Sequence, residues 1–217
     1  MTTTIHNLLR QKSVLLASKS PRRVEILRTL GVPCEVRGAT FAEDLDHAHF
    51  ASPADYVVTN AREKALEVFH ALKKEGKTHD VVIGADTVVV LGTQILEKPN
   101  DVEHAVAILR RLRDAGDHQV VTGMCLVLDD PAAPGGERIV TFHESTTVSF
   151  GAVSDQEIDW YVGTGDPMDK AGGYGYQSLA SPLIKGIHGC YYNVVGLPVH
   201  RLFRELETAM MPVSASH

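Results

Sequence analysis

The chain has 217 residues, 44% of them hydrophobic and 22% charged, and a formal net charge of -6 at pH 7. This balance is ordinary for a globular protein and excludes disordered and fibrous classes, while the acidic total argues against a general nucleic-acid or membrane-surface binder. A chain of this length buries roughly 70% of its unfolded surface, so we expect one bilobed domain over residues 13–210. A polar arm over 1–12 and a tail over 211–217 flank it.

The cysteines and the N-terminus indicate where the protein resides. Cys34, Cys125 and Cys190 are far apart and form no CxxC pair, so neither a zinc site nor a disulfide framework is suggested. The first twelve residues lack the apolar core of a secretion signal, and no run approaches membrane-spanning length. We therefore expect a soluble, cytoplasmic protein that binds neither membranes nor nucleic acid.

The first half of the chain predicts two strand-and-helix pairs. A buried strand over 13–17 precedes a helix with Ser20 at its N-cap, Pro21 in its first turn and Gly31 at its end. A second helix begins at Ser52-Pro53, carries apolar residues at helical spacing and ends near Gly76. A buried strand over 80–86 follows, and residues 87–97 form a hairpin that turns at Gly92-Thr93.

The second half mixes the same elements. We predict a helix capped by Asn100 or Asp101, strands over 119–128 and 139–150 around a Pro/Gly loop, and a helix opened by a Ser154/Glu157 capping box. A glycine-rich segment over 169–177 and a last helix after residues 196–198 complete the chain. Hairpins and crossovers together predict an α/β fold with a mixed sheet.

Residues 18–23 carry the strongest local signal for chemistry. A helix N-terminus offers unpaired backbone N–H groups and partial positive charge, which suits a phosphate. Ser18 and Ser20 place two hydroxyls there, and Arg22 and Arg23 add forked donors that match phosphate oxygens. An ordinary capped helix with solvent-exposed arginines explains this fragment equally well.

Other polar residues are weaker signals when taken singly. Asp86 follows an apolar strand at its exit, where it can orient a metal ion or a water, or merely cap a turn. The glycines of 169–177 let backbone approach a ligand, or simply make a flexible loop. No GxxxxGK[ST], helix-opening GxGxxG or HExxH sequence is present, which disfavours P-loop, Rossmann and metalloprotease chemistry.

Taken together, these fragments resemble the Maf (septum-formation-inhibitor-like) family over residues 14–208. The matching pieces occur in the family's order: LASKSPRR at 16–23, FAE at 41–43, EKA at 63–65, IGADT at 83–87, EKP at 97–99, TG at 122–123, DKAGGYGYQ at 169–177 and NVVGLP at 193–198. Three features depart from the pattern, namely Lys19 and Ser178 where glycine is usual and a longer loop at 129–137. None of the three removes a proposed catalytic group.

The resemblance implies a Maf/inosine-triphosphatase-like fold, an elongated mixed sheet flanked by helices with two lobes around a cleft. It implies a homodimer, and a nucleoside triphosphate substrate that is cleaved between its α- and β-phosphates with Mg²⁺ or Mn²⁺. Asp86 matches the general base and, together with Glu43, the metal site. The phosphate-binding positions are matched by Ser18, Arg22, Arg23, Lys64 and Lys98. Positions diagnostic of the dTTP/UTP-preferring branch are matched by Arg22, Thr87 and Gln177.

These matches lead to one hypothesis and two rivals. We expect house-cleaning hydrolysis of dTTP, UTP or a modified pyrimidine nucleotide to the monophosphate and pyrophosphate. Gln177 is suited to the base edge, because its amide offers both a donor and an acceptor; the branch that prefers 7-methyl-GTP typically has glutamate there. The rivals are a nucleotide-binding regulator of septum formation with little catalysis, and an enzyme that releases orthophosphate from the γ-position.

Overall fold

A computed structural model describes residues 4–42 and 45–210. Its strands are β1 (Val14–Ala17), β2 (Glu35–Val36), β3 (Val81–Leu91), β4 (Gln94–Leu96), β5 (Asp117–Asp129), β6 (Glu137–Phe150) and β7 (Ile184–His188). Its helices are α1 (Ile5–Leu9), α2 (Pro21–Thr29), α3 (Pro53–Lys74), α4 (Val102–Ala115), α5 (Asp155–Gly163), α6 (Tyr191–Val195) and α7 (Val199–Met210). The predicted α/β class is confirmed. Among the described residues, no helix is both long and apolar enough to span a membrane.

The seven described strands form one mixed sheet in the order β2-β1-β3-β5-β6-β7, with β4 paired to β3. β1 runs parallel to β2 and β3, whereas β3, β4, β5, β6 and β7 pair antiparallel. β1 pairs with residues 81–84 of β3 and β4 pairs with residues 89–91. Between these two partners, residues 85–88 of β3 form an open stretch of strand edge.

Helices cover both faces of the sheet. α3 packs on one face, where alternate strand residues such as Leu15, Val82 and Cys125 meet Ala61 and Ala65. The opposite face carries two separate apolar clusters, one built by α1, α2 and α7 and the other by α4 and α5. The open stretch of β3 lies between these two clusters, so the fold leaves a cleft there.

Two glycines bring α3 unusually close to the sheet. A Cβ at Gly84 would collide with the backbone oxygen of Ala61, and one at Gly123 would collide with the backbone of Val57. Gly123 is also the cross-strand partner of Asp86. Because these positions have no side chain, the helix backbone rests directly on β3 and β5, and side chains from α3 reach Asp86.

The structure differs from the sequence-based expectations in three places. Residues 5–9 of the expected polar arm form α1, whose Ile5 and Leu9 are buried in the core. The short elements β2, β7 and α6 had no predicted counterpart. Asp86 lies in the middle of β3 rather than at its exit, since the strand and the first arm of the hairpin are one continuous element. The tail over 211–217 and residues 1–3 lie outside the described residues.

Candidate active site

The cleft holds a cavity of about 360 Å³. Of the ten residues that the sequence singled out, nine line it, namely Ser18, Ser20, Arg22, Arg23, Lys64, Asp86, Thr87, Lys98 and Gln177. The tenth, Glu43, lies outside the described residues. Residues from distant parts of the chain therefore share one cavity, because the open edge of β3 runs along it and leaves room for the start of α2 and the glycine-rich segment.

Asp86 is the buried carboxylate of this cavity. Its Oδ1 accepts a hydrogen bond from Lys64 Nζ at 2.8 Å, and its Oδ2 accepts one from Asn60 Nδ2 at 3.0 Å. Asn60 and Lys64 are one helical turn apart on α3, so they present their side chains on the same face. The close approach at Gly84 and Gly123 is what lets both reach the strand.

The surroundings of Asp86 favour its ionised form. Burial by itself would raise the pKa of this carboxyl, since a charge is poorly solvated there. The charge and hydrogen bond of Lys64, the charge of Arg23 and the hydrogen bond from Asn60 act in the opposite direction. They prevail, and the pKa of Asp86 lies below its ordinary value. Asp86 is therefore a carboxylate at neutral pH.

Arg23 is directed into the protein. Its guanidinium donates Nε–H to Gly196 O at 2.8 Å, Nη1–H to Ser18 Oγ at 3.1 Å and to Ala85 O at 3.0 Å, and Nη2–H to Thr87 Oγ1 at 2.9 Å. It thus joins α2, the end of β1, the open edge of β3 and the end of α6. Although Arg23 lines the cavity, these donor contacts hold the cavity wall together.

Arg22 has a different environment. Its Nη1 lies 3.2 Å from Asp169 Oδ2, and the Asp169 side chain is 66% exposed. The other carboxylate oxygen of Asp169 accepts a hydrogen bond from Lys170 Nζ at 2.7 Å. Lys170 is buried, and its Nζ also donates to Asp166 O at 2.6 Å and to Asp166 Oδ1 at 2.9 Å.

The Arg22–Asp169 ion pair links the start of α2 to the glycine-rich segment across the cavity. An ion pair that is open to solvent is screened by water and typically stabilises a protein by only about 0–1 kcal/mol. An anionic ligand can therefore compete with Asp169 for the guanidinium of Arg22. The two neighbouring arginines thus differ in their contacts, since Arg23 is fixed in the cavity wall and Arg22 pairs with an exposed carboxylate at its surface.

The remaining predicted residues occupy the start of α2 and the outer wall. Ser18 is buried, and its Oγ accepts from Ser20 N at 3.2 Å as well as from Arg23. Ser20 is the N-cap of α2, and within the described residues its side chain makes no capping hydrogen bond. Lys98 and Gln177 are exposed and line the cavity. The start of α2, the cationic side chains and the amide of Gln177 thus line the same cavity.

Three further residues belong to the site, although sequence reasoning did not select them. Asn60 holds Asp86, Thr122 bonds to Thr87 at 3.0 Å, and Lys170 holds Asp169. Asn60 was detectable in principle, because it precedes Lys64 by one turn of a predicted helix. Thr122 and Lys170 lie in segments that match the family, but their contacts depend on strand register and on the folding of the glycine-rich segment.

The chemistry of these oxygens fits a divalent cation. Among the described residues, no three His, Cys, Asp or Glu side chains form a metal cluster. Mg²⁺ commonly uses only one or two protein carboxylates, together with waters and substrate phosphates. Asp86 offers an ionised oxygen, and beside it Asn60 Oδ1 is buried without a hydrogen-bond partner in the described part of the chain. These oxygens fit a cation that is shared with a phosphorylated ligand.

The fold and the cavity define an α/β protein in which arginine and lysine side chains line a cleft around a buried carboxylate. The chain belongs to the Maf family, since residues 13–209 match the model of Maf-like proteins. It is 45% identical over 197 residues to the dTTP/UTP pyrophosphatase of Salinibacter ruber, covering 90% of each chain. It is 36% identical over 213 residues to the dTTP/UTP pyrophosphatase of Schizosaccharomyces pombe, covering 96% of this chain and 88% of that one.

A human relative is longer. The chain is 43% identical over 206 residues to the probable bifunctional dTTP/UTP pyrophosphatase/methyltransferase protein of Homo sapiens. The match covers 94% of this chain and 33% of the human protein. The chain therefore spans about one third of that relative, and nearly all of the two microbial ones.

Proposed function

We propose that the chain is a nucleoside triphosphate pyrophosphatase that hydrolyses dTTP, UTP or a modified pyrimidine relative to the monophosphate and pyrophosphate. The observation that carries this proposal is the pairing of a buried, ionised Asp86 with Lys64 inside a cavity that Arg22 and Lys98 also line. The names of relatives that match almost end to end support the same activity.

Asp86 is the proposed general base. Its ionised carboxylate accepts a proton from water while that water attacks the α-phosphorus and the bond to the bridging oxygen breaks. Lys64 keeps the carboxylate ionised and oriented, and Arg22 and Lys98 stabilise the negative charge on the departing pyrophosphate. Asp86, with Glu43 as a further proposed ligand, would hold a divalent cation, which would supply additional charge neutralisation at the phosphates.

A product assay tests this function. The purified chain is incubated with Mg²⁺ or Mn²⁺ and a panel of nucleoside triphosphates, and the products are separated. Monophosphate and pyrophosphate in equal amounts support the proposal, and addition of a chelator is expected to abolish turnover. Diphosphate with orthophosphate would instead identify a γ-phosphatase. Tight nucleotide binding without product would favour the regulator of septum formation.

The same proposal includes the setting of the enzyme. We propose a single catalytic domain over 13–210, a homodimer and a cytoplasmic location. Light scattering on the purified protein measures the mass directly, and a monomer at micromolar concentration would reject the homodimer. Fluorescence microscopy of the tagged chain tests the location.

A further inference from the structure

The Thr87 hydroxyl belongs to a largely buried chain of hydrogen bonds. It receives Arg23 Nη2–H at 2.9 Å and lies 3.0 Å from Thr122 Oγ1. Thr122 Oγ1 in turn donates to the main-chain oxygen of Asn193 at 3.3 Å. Thr122 and Asn193 are fully buried, so their groups are shielded from water. The chain links α2, β3, β5 and α6 beside the cavity.

The direction in which these hydrogen bonds donate follows from the groups at the two ends of the series. A guanidinium only donates and a carbonyl only accepts, while each hydroxyl has a single proton. Because the Thr122 proton points to the carbonyl of Asn193, the proton between the two hydroxyls comes from Thr87. Thr87 therefore accepts from Arg23, donates to Thr122 and keeps one lone pair, so it can offer the cavity only an acceptor.

A ligand group that hydrogen-bonds to this acceptor must be a donor. The oxygens of an ionised triphosphate are acceptors themselves and do not satisfy it. The donors that dTTP and UTP share are the imide N–H of the base and the 3′-hydroxyl of the sugar. Of these two donors, only the imide N–H distinguishes thymine and uracil from cytosine, whose ring nitrogen at the same position is an acceptor.

We propose that Thr122 is a positioning residue that fixes the Thr87 hydroxyl as the acceptor for the imide N–H of thymine or uracil. This inference rests on the proposed function and deepens it. Without the Thr122 hydroxyl, the Thr87 O–H loses its acceptor. It can then point into the cavity and donate a hydrogen bond to the ring nitrogen of cytosine. Thr122 therefore acts on the choice between UTP and CTP without touching either nucleotide.

The experiment compares kcat/KM for UTP and CTP in four proteins, the unmutated chain and three variants. Thr122→Val removes the hydroxyl at nearly constant volume, and Thr122→Ser retains it. Thr147→Val is the matched control, because it deletes a hydrogen bond to Gln119 at 2.8 Å in the neighbouring strand β6. We expect the UTP/CTP ratio to fall about tenfold in Thr122→Val, to return in Thr122→Ser and to stay unchanged in the control. Binding of the non-hydrolysable α,β-methylene analogues of UTP and CTP should show the same order.

A double-mutant cycle makes the test specific to the hydroxyl pair. The Thr87→Val variant and the Thr87→Val/Thr122→Val double variant are expected to have the same UTP/CTP ratio. Thr122 has no effect there, because the Thr87 hydroxyl that it orients is absent. An unchanged ratio in Thr122→Val with native-like folding overturns the inference, as does additivity in the cycle. Absence of pyrophosphate release from the unmutated protein would overturn the proposed function instead, so the two failures are distinguishable.

Discussion

Lys64 Nζ and Asp86 Oδ1 lie 2.8 Å apart, and each side chain is only 9% exposed. The two residues come from α3 and β3, which touch through Gly84 and Gly123. A buried ion pair is costly to desolvate and persists when further hydrogen bonds complete it. Asn60 supplies one of these for Asp86. This arrangement keeps a carboxylate ionised next to the phosphate-binding residues that we propose.

Replacing the carboxylate tests its proposed role as general base. Asp86→Asn keeps the shape of the side chain but cannot take up a proton in the same way, so kcat is expected to fall by about 10² to 10⁴. Circular dichroism should show a native fold. Steady-state kinetics with dTTP and UTP measure the loss, and turnover close to that of the unmutated protein would dismiss Asp86 as the base.

Replacement by lysine should have different effects at the two consecutive arginines. Arg23→Lys loses the planar fork that contacts several segments, and we expect a drop of about 3 kcal/mol in the free energy of unfolding. Arg22→Lys replaces the forked donor in a pair with an exposed carboxylate, which typically contributes about 0–1 kcal/mol, and should mainly raise KM. Thermal unfolding and kinetics on both variants check the difference. Equal stability losses would show that the two side chains are not divided in this way.

Gly84 tests the contact between α3 and the sheet. In Gly84→Ala the new methyl group meets the backbone of Ala61, so the helix must move away and the protein should lose about 3 kcal/mol of stability. The same movement draws Lys64 away from Asp86, and activity should fall with it. Gly163→Ala is the matched control, since a Cβ there has open space. A stable and fully active Gly84→Ala variant would contradict the close packing.

His118 gives the stability a pH dependence. Burial lowers its pKa from 6.5 to about 4, and its Nε2 pairs with Tyr174 OH at 2.6 Å. The unfolded chain takes up this proton first as the pH falls, so the stabilisation is present above pH 6.5 and is lost towards pH 4. The linkage between protonation of His118 and folding gives a loss of about 2 kcal/mol in the free energy of unfolding between pH 7 and pH 5. Urea unfolding measures the stability of the unmutated protein and of His118→Asn at both pH values. This loss should appear in the unmutated protein alone. The same pH dependence in both proteins would show that His118 is not its source.

Gln177 is expected to set the nucleotide preference. Gln177→Glu replaces a group that both donates and accepts with one that only accepts when ionised. We expect kcat/KM for dTTP and UTP to fall relative to 7-methyl-GTP, measured on a nucleotide panel. Gln177 is exposed at the cavity wall, so the fold should be unaffected. An unchanged order of substrates would remove Gln177 from the specificity residues.

Local patterns predicted most of the elements. Ser52, Asp101 and Ser154 cap helices in the structure, and the hairpin turns at Gly92-Thr93 as expected. Short elements such as β2 and α6 escaped prediction, because two to five residues carry too little periodicity. The burial of Ile5 was missed for a related reason, since one turn of helix in a polar segment gives no repeating pattern.

The sequence by itself determined most of the elements, the mixed α/β class and nine of the polar residues that gather in the cleft, because caps, periodicity and ordered motifs are local properties. Only the tertiary structure decided what each polar residue contacts. Arg22 and Arg23 are neighbours with the same chemistry, yet one faces Asp169 and the other the protein interior. That difference depends on where β3, the end of α6 and the glycine-rich segment lie around the start of α2, which are relationships between distant parts of the chain.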